Sequence, residues 1–316
     1  MLAQRNSGGL LVCGNGVGAG SDLPGQSPGG AVAEEQLNPA ICYDSRMDIV
    51  LLRVALALYA VGLAHSVVTV LGRKYAFFRA GLYAVVAAFI CQTLSIVLRA
   101  AELNYMPLTQ RYEAFSFFAA VGALGYLIAY RWYRIESLSV FVFPLLFILT
   151  FLANIVYDPS DVIPAALQSN WIYIHTPLIF LGYAALFISF AAAIMYLIQE
   201  RELKTKHRRT FFQLPSLEIC DDLSYRSLAI GFPLITLGLI SGALWAQSTW
   251  DSPWGSDLKI LLSLFTWGIY LLLIHYRFIA GWQGKRAAYL AIAGFVSVLV
   301  SFLGANYFGG LHSFTE

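Results

Sequence analysis

Eight apolar runs, each long enough to cross a bilayer as a helix, take up most of this 316-residue chain: about 49–72, 78–98, 113–131, 137–157, 172–198, 227–246, 258–278 and 287–308. A hydrocarbon core of about 30 Å needs about 20 residues of helix. Inside lipid every backbone N–H and C=O must be satisfied within the protein, which leaves helices or a closed barrel. Continuous runs of this length, without apolar–polar alternation, read as helices. Composition points the same way: 59% of residues are hydrophobic, 12% are charged, and the mean hydropathy is +0.67. A soluble domain is nearer a quarter charged. The expected fold class is therefore all-α, a polytopic integral membrane helical bundle with about eight transmembrane helices. The formal net charge of +2 gives no reason to expect a nucleic-acid partner. The lipid bilayer is the expected surrounding.

The charges between the runs set an expected orientation, because Lys and Arg accumulate on the cytoplasmic side. Arg73, Lys74 and Arg79 lie between runs 1 and 2, and Arg131 and Arg134 between runs 3 and 4. Arg201, Lys204, Lys206, Arg208, Arg209 and Arg226 lie between runs 5 and 6; Lys285 and Arg286, after Arg277, lie between runs 7 and 8. The alternate loops hold only Arg99, Arg111 and Lys259. This reading puts both termini outside, on the periplasmic side of a bacterial inner (plasma) membrane.

Residues 1–46 are of another kind. MLAQRNSGGLLVCGNGVGAGSDLPGQSPGG is rich in Gly, Ser and Pro, has no periodicity and is expected to be disordered. GGLLVCG is too short for a signal-peptide core, and Val12 precedes Cys13 where a lipoprotein signal needs a small residue. Met47 stands directly before the first run and is the expected true start. Cys13, Cys42, Cys91 and Cys220 form no CxxC pair and no zinc spacing. Cys91 reads as a small core hydrophobe and Cys220 as a residue of a charged loop.

Of the five histidines, His207 sits in the solvated run KTKHRR. The other four form two pairs by depth. His175 (NWIYIHTP) and His312 (GGLHSF) both lie at outer run ends. His65 lies 17 residues into run 1, counted from Asp48, and His275 lies 18 into run 7, counted from Asp257, so both sit roughly 25 Å below the outer surface. An ionisable side chain at that depth is a candidate functional group. For His65 a hydrogen bond to a neighbouring helix's Ser or Thr competes with a ligand role; for His275, near Arg277, snorkelling competes. Paired imidazoles in apolar surroundings suit an iron porphyrin better than a bare ion. Between the outer histidines comes WAQSTWDSPWGSD, three of the chain's seven tryptophans in one polar stretch. An aromatic belt accounts for one or two of these indoles; a surface on which a porphyrin packs accounts for all three.

The last hundred residues closely resemble the CcsA/ResC-type cytochrome c assembly family, with CcmC and CcmF as more distant relatives. The family's tryptophan-rich segment, WGxxWxWDPKE preceded by WA, keeps its register here as Trp245-Ala246, Trp250, Trp254, Asp257 and Lys259. TWGIYLLLIHYRFIAGWQGKRAA is similar to the helix and loop that follow, GANYFGGLHSF to the C-terminal motif, and MPLTQRYEAFSF to an upstream P-L-x-x-x-Y-E segment. The pattern departs at Asp251, Ser256, Leu258 and Ile260, where the family has Gly, Trp, Pro and Glu.

The resemblance implies that 47–316 is one CcsA-like transmembrane domain. It implies His175 and His312 as external axial ligands of haem b and His275 as a transmembrane ligand; matched depth makes His65 the candidate partner of His275. Trp245, Trp250, Trp254 and Asp257 would be the haem-presenting segment. The implied function is to take haem from the cytoplasmic side and present it outside to an apocytochrome c bearing CxxCH. In this the chain would be one component of a haem lyase with a CcsB/ResB-like partner. Lys259, Arg111 and Arg99 are candidates for the propionates or plain interfacial anchors, and Glu113 is a candidate partner of Arg111. Two other readings stand: a HemX-like regulatory or assembly protein of haem synthesis, and a non-haem structural subunit.

Overall fold

A computed structural model describes residues 39–72, 78–103, 105–157, 169–205, 214–250 and 258–304. Eight α-helices account for nearly all of them: α1 (Pro39–Gly72), α2 (Phe78–Leu103), α3 (Arg111–Tyr133), α4 (Ser139–Ile155, led in by a 3₁₀ turn at Glu136–Leu138), α5 (Ile172–Thr205), α6 (Leu217–Trp250), α7 (Leu258–Phe278) and α8 (Lys285–Gly304). All eight are long and apolar enough to cross a membrane. The described residues contain no strand.

Where lipid replaces water outside the bundle, helices associate through close packing and hydrogen bonds rather than by hiding apolar surface. The large apolar side chains on the rim, such as Tyr83, Ile90, Ile240, Leu261 and Phe265, are accordingly exposed. Helices α1 to α4 pack on one another, as do α5 to α8, and α3 against α5 joins the two halves. That seam is aromatic. Phe118 stacks on Phe180 (centroids 5.2 Å), and Phe302 of α8 meets both edge-on.

The first half closes on Gln92, which is wholly buried. Its Oε1 accepts from the Tyr59 hydroxyl at 2.9 Å, and its Nε2 donates to the Ser116 carbonyl at 3.1 Å and reaches Thr150 Oγ1 at 3.4 Å. One side chain thus ties α1, α2, α3 and α4 together. In the second half α5 and α6 run nearly backbone to backbone. A Cβ on Gly182 would stand 2.5 Å from Ile235 Cγ2, and one on Gly231 would stand 3.2 Å from the Gly182 carbonyl oxygen. Glycine at both positions permits the approach.

Two expectations from sequence are corrected. Cys220 and Arg226, read as loop residues, lie in α6, which starts ten residues before its apolar run; Cys220 is fully buried. Polar composition suggested a loop, but α5 and α6, at 34 residues each, exceed the ~20 needed to span and continue as helices past the apolar layer. Glu113 is not a partner of Arg111. It caps α3, its Oε2 accepting from the Thr109 and Gln110 amides (2.9 Å each) and the Thr109 hydroxyl, and its Oε1 faces Arg99 Nε at 3.7 Å. Arg99 also pairs with Glu102 at 3.4 Å. This buried cluster fixes the turn that MPLTQRYE encodes.

Candidate functional site

At the end of the bundle where α5 begins and α6 finishes, the imidazole of His175 lies in a slot on α6. Its Nδ1 is 2.8 Å from the carbonyl oxygen of Gly238. A carbonyl only accepts, so Nδ1 carries a proton, and the neutral form of the ring has its lone pair on Nε2. An imidazole oriented in this way by a backbone carbonyl is prepared as a metal ligand. The Ser241 hydroxyl donates to the same carbonyl at 2.8 Å. The slot depends on the lack of a side chain at Gly242, where a Cβ would stand 2.7 Å from His175 Cε1 and 2.8 Å from Nδ1. Trp245, one turn further along α6, is buried, with its ring centroid 5.8 Å from that of the imidazole. It packs with Ile172, Trp171 and Tyr173 at the start of α5.

A cavity of about 620 Å³ opens between α6 and α7 with His175 on its wall. That volume is within the range of small-molecule and cofactor sites. Gln247 and Lys259 line it near the helix ends, and Thr236 and Trp267 line it deepest in the bundle. Between them the wall is mainly aliphatic, with Ile240 and Leu244 exposed on the lipid side. Few polar groups face the space: the imidazole, Lys259, Ser263, Gln247 and Thr236. The combination suits a flat apolar ligand held at a metal centre by an axial nitrogen. Among the described residues no three His, Cys, Asp or Glu side chains converge to hold a bare ion.

Of the residues singled out from sequence, the fold brings His175, Trp245 and Lys259 to this one cavity. Trp254, Asp257, His312 and the Trp250 side chain lie outside the described residues. His65 is half-buried on α1, its Nδ1 3.0 Å from the Val61 carbonyl oxygen one turn back, so its hydrogen bond is to its own helix rather than to a neighbour's Ser or Thr. That bond too leaves the lone pair on Nε2. His275 is exposed on α7 with its ring against Tyr276. Helix α1 packs on α2 and α4, whereas α7 packs on α8 and α6, so these two histidines belong to different halves.

Arg277, two residues beyond His275, is held in place. Its two terminal nitrogens meet Asp221 Oδ1 and Oδ2 at 3.0 and 2.9 Å, and its guanidinium lies 4.8 Å above the Tyr225 ring. Asp221 Oδ1 also accepts from the Gly284 amide at 2.9 Å, and Gly284 adopts φ +68°, a conformation glycine takes without strain. The GWQGKR turn is thereby clamped to α6. Sequence reasoning missed Gly238, Gly242 and Trp267 as site-forming residues. The glycines at 231, 238 and 242 share one face of α6 and were the available signal of a close neighbour.

Fold and cavity together define a polytopic membrane protein with a cavity of cofactor size between two of its helices. Residues 50–312 match the family described as Cytochrome C assembly protein, and the chain belongs to that family. It is 34% identical over 250 residues to the cytochrome c biogenesis protein CcsA of Guillardia theta, covering 71% of this chain and 82% of that one. It is 33% identical over 268 residues to CcsA of Prochlorococcus marinus (strain MIT 9312), covering 77% and 86%. Its fold is similar to that of the cytochrome c haem lyase CcmF, with a TM-score of 0.57 and 15% identity over 89% of this chain. The chain spans about half of that longer protein, 51%.

Proposed function

We propose that this protein handles haem in cytochrome c biogenesis, a reading supported by the cytochrome c biogenesis name of its relatives and the haem lyase name of its structural neighbour. The observation that carries the reading is the imidazole of His175, oriented by the Gly238 carbonyl, on the wall of an apolar cavity beside Trp245. Haem is the cargo. His175 and His312 would hold its iron from the two faces, filling both axial sites and blunting oxygen chemistry. Trp245, Trp250 and Trp254 would pack on the ring, with Asp257 ending the segment. Lys259 would meet a propionate. Arg99, buried against Glu102 and Glu113, serves the α3 turn instead.

His65 and His275 are proposed as the ligands that first take haem b, on the cytoplasmic side of a bacterial inner membrane. With α1 and α7 in different halves, they share one iron only if the porphyrin bridges those halves. The His175 end would face the periplasm, where haem vinyl groups meet the CxxCH thiols of an apocytochrome c beside a CcsB/ResB-like partner. The chain's part is binding and orientation; bond formation belongs to haem and thiols.

The test is co-expression with a CcsB/ResB-like protein and an apocytochrome c, followed by a stain for covalently attached haem. The parent yields holocytochrome, and His175→Ala yields little. A parent that attaches no haem but alters the level of haem-synthesis enzymes would favour the HemX-like alternative.

A further inference from the structure

The cavity beside His175 has a floor. Trp267 on α7 donates from Nε1 to Thr236 Oγ1 on α6 at 3.0 Å. The Thr236 hydroxyl in turn donates to the Phe232 carbonyl at 2.8 Å, and the Phe232 ring lies against the Trp267 indole with centroids 6.0 Å apart and planes 23° from parallel. Each polar group in this bridge is satisfied, which is what a stable crossing of an apolar layer requires. Thr236 and Trp267 are the cavity's deepest lining residues on their helices, and Phe232 lies one turn further in. On α7 the bridge stands eight residues, roughly 12 Å, from His275.

We propose that the Trp267–Thr236 bridge is a partition between the levels of His175 and His275 on the α6–α7 seam. It fixes how deep a planar tetrapyrrole seats beside His175, and it must open for such a ligand to pass along that seam. This rests on the reading of the cavity as a tetrapyrrole site. Trp267 then acts as a positioning residue through its indole N–H. The Thr236 hydroxyl is kept in place as acceptor because its own proton is committed to the Phe232 carbonyl.

Zinc protoporphyrin tests the proposal, because it fluoresces and takes a single axial nitrogen. The full chain is placed in phosphatidylcholine nanodiscs, and the depth of the bound porphyrin is read from its quenching by lipids spin-labelled near the headgroup or near the chain end. In the parent, quenching by the shallow label dominates. Trp267→Phe and Thr236→Val each remove one side of the hydrogen bond; both are expected to shift quenching towards the deep label and to weaken binding ~2- to 10-fold. Thr236→Ser keeps the hydroxyl and retains the parent depth. The double variant Trp267→Phe/Thr236→Val shows no more than the larger single effect, because one bond is shared. Parent depth in both single variants overturns the partition. A shift in Trp267→Phe with parent depth in Thr236→Val overturns the role of the hydrogen bond. His175→Ala separates the two layers of the argument: if it binds zinc protoporphyrin with the parent's affinity and absorption band, the cavity's assignment fails whatever the floor does.

Discussion

His175 on α5 and Gly238 on α6 are joined by a 2.8 Å hydrogen bond from an imidazole nitrogen to a backbone carbonyl oxygen. That bond fixes which nitrogen is protonated and which way the ring faces. The neighbouring Gly242 leaves room for it. Gly242→Ala would place a methyl group within 2.8 Å of two ring atoms, so either the imidazole or the helix must move. Gly242→Ala is expected to lose most of the bound haem, as His175→Ala does, while α-helical circular dichroism stays at the parent level. Optical titration with hemin on purified protein measures the first, and far-UV spectra the second.

Asp221 anchors two things at once, the Arg277 guanidinium and the Gly284 amide. Arg277 is nearly buried, with 7% side-chain exposure, so removing its partner leaves a desolvated charge. Breaking such a pair costs about 3 kcal/mol. Asp221→Asn should lower the thermal midpoint in detergent clearly, and Asp221→Asn/Arg277→Gln should recover part of the loss. Equal midpoints for parent and single variant would mean that the clamp contributes nothing.

Gln92 is the shared partner of Tyr59, Ser116 and Thr150. Gln92→Leu keeps the bulk but strands the Tyr59 hydroxyl in an apolar interior, at a cost of about 1–2 kcal/mol. Adding Tyr59→Phe removes the stranded group and should restore most of the stability. Reversible unfolding in mixed micelles gives both numbers, and the cycle gives their coupling.

Tyr270 is fully buried, and its hydroxyl has no hydrogen-bond partner among the described residues. Its ring fills the space left by Gly294 on α8. Tyr270→Phe keeps the ring and discards an unsatisfied polar atom, so stability should hold or rise slightly. Gly294→Ala would bring a methyl group to 2.7 Å from the Tyr270 ring and should weaken the α7–α8 contact. The same unfolding assay orders the two variants.

All eight helices were legible in the chain because a bilayer imposes a minimum apolar length, and runs such as 258–278 announce it directly. The start of α6 was not legible, because Cys220 to Arg226 project beyond the apolar run with loop-like composition. His175 and Trp245 were readable as one site because both fall at helix ends on the same level. Depth along an axis says nothing about rotation around it or about neighbours. His65 and His275, matched in depth, therefore turn out to sit on helices of different halves. The groups that shape the site act across helices. Gly238, Gly242 and the Trp267–Thr236 bridge are defined by partners 31 to 67 residues away, which no local pattern encodes.

The central claim is that the His175 imidazole is an axial ligand to haem iron. It is tested most directly by the optical and magnetic circular dichroism spectra of the protein purified in mild detergent, for the parent and for His175→Ala with His312→Ala. The account predicts a reducible low-spin, bis-imidazole spectrum in the parent and a marked loss of haem, or a change to high spin, in the double variant. Equal haem content and identical spectra in the two proteins would contradict it.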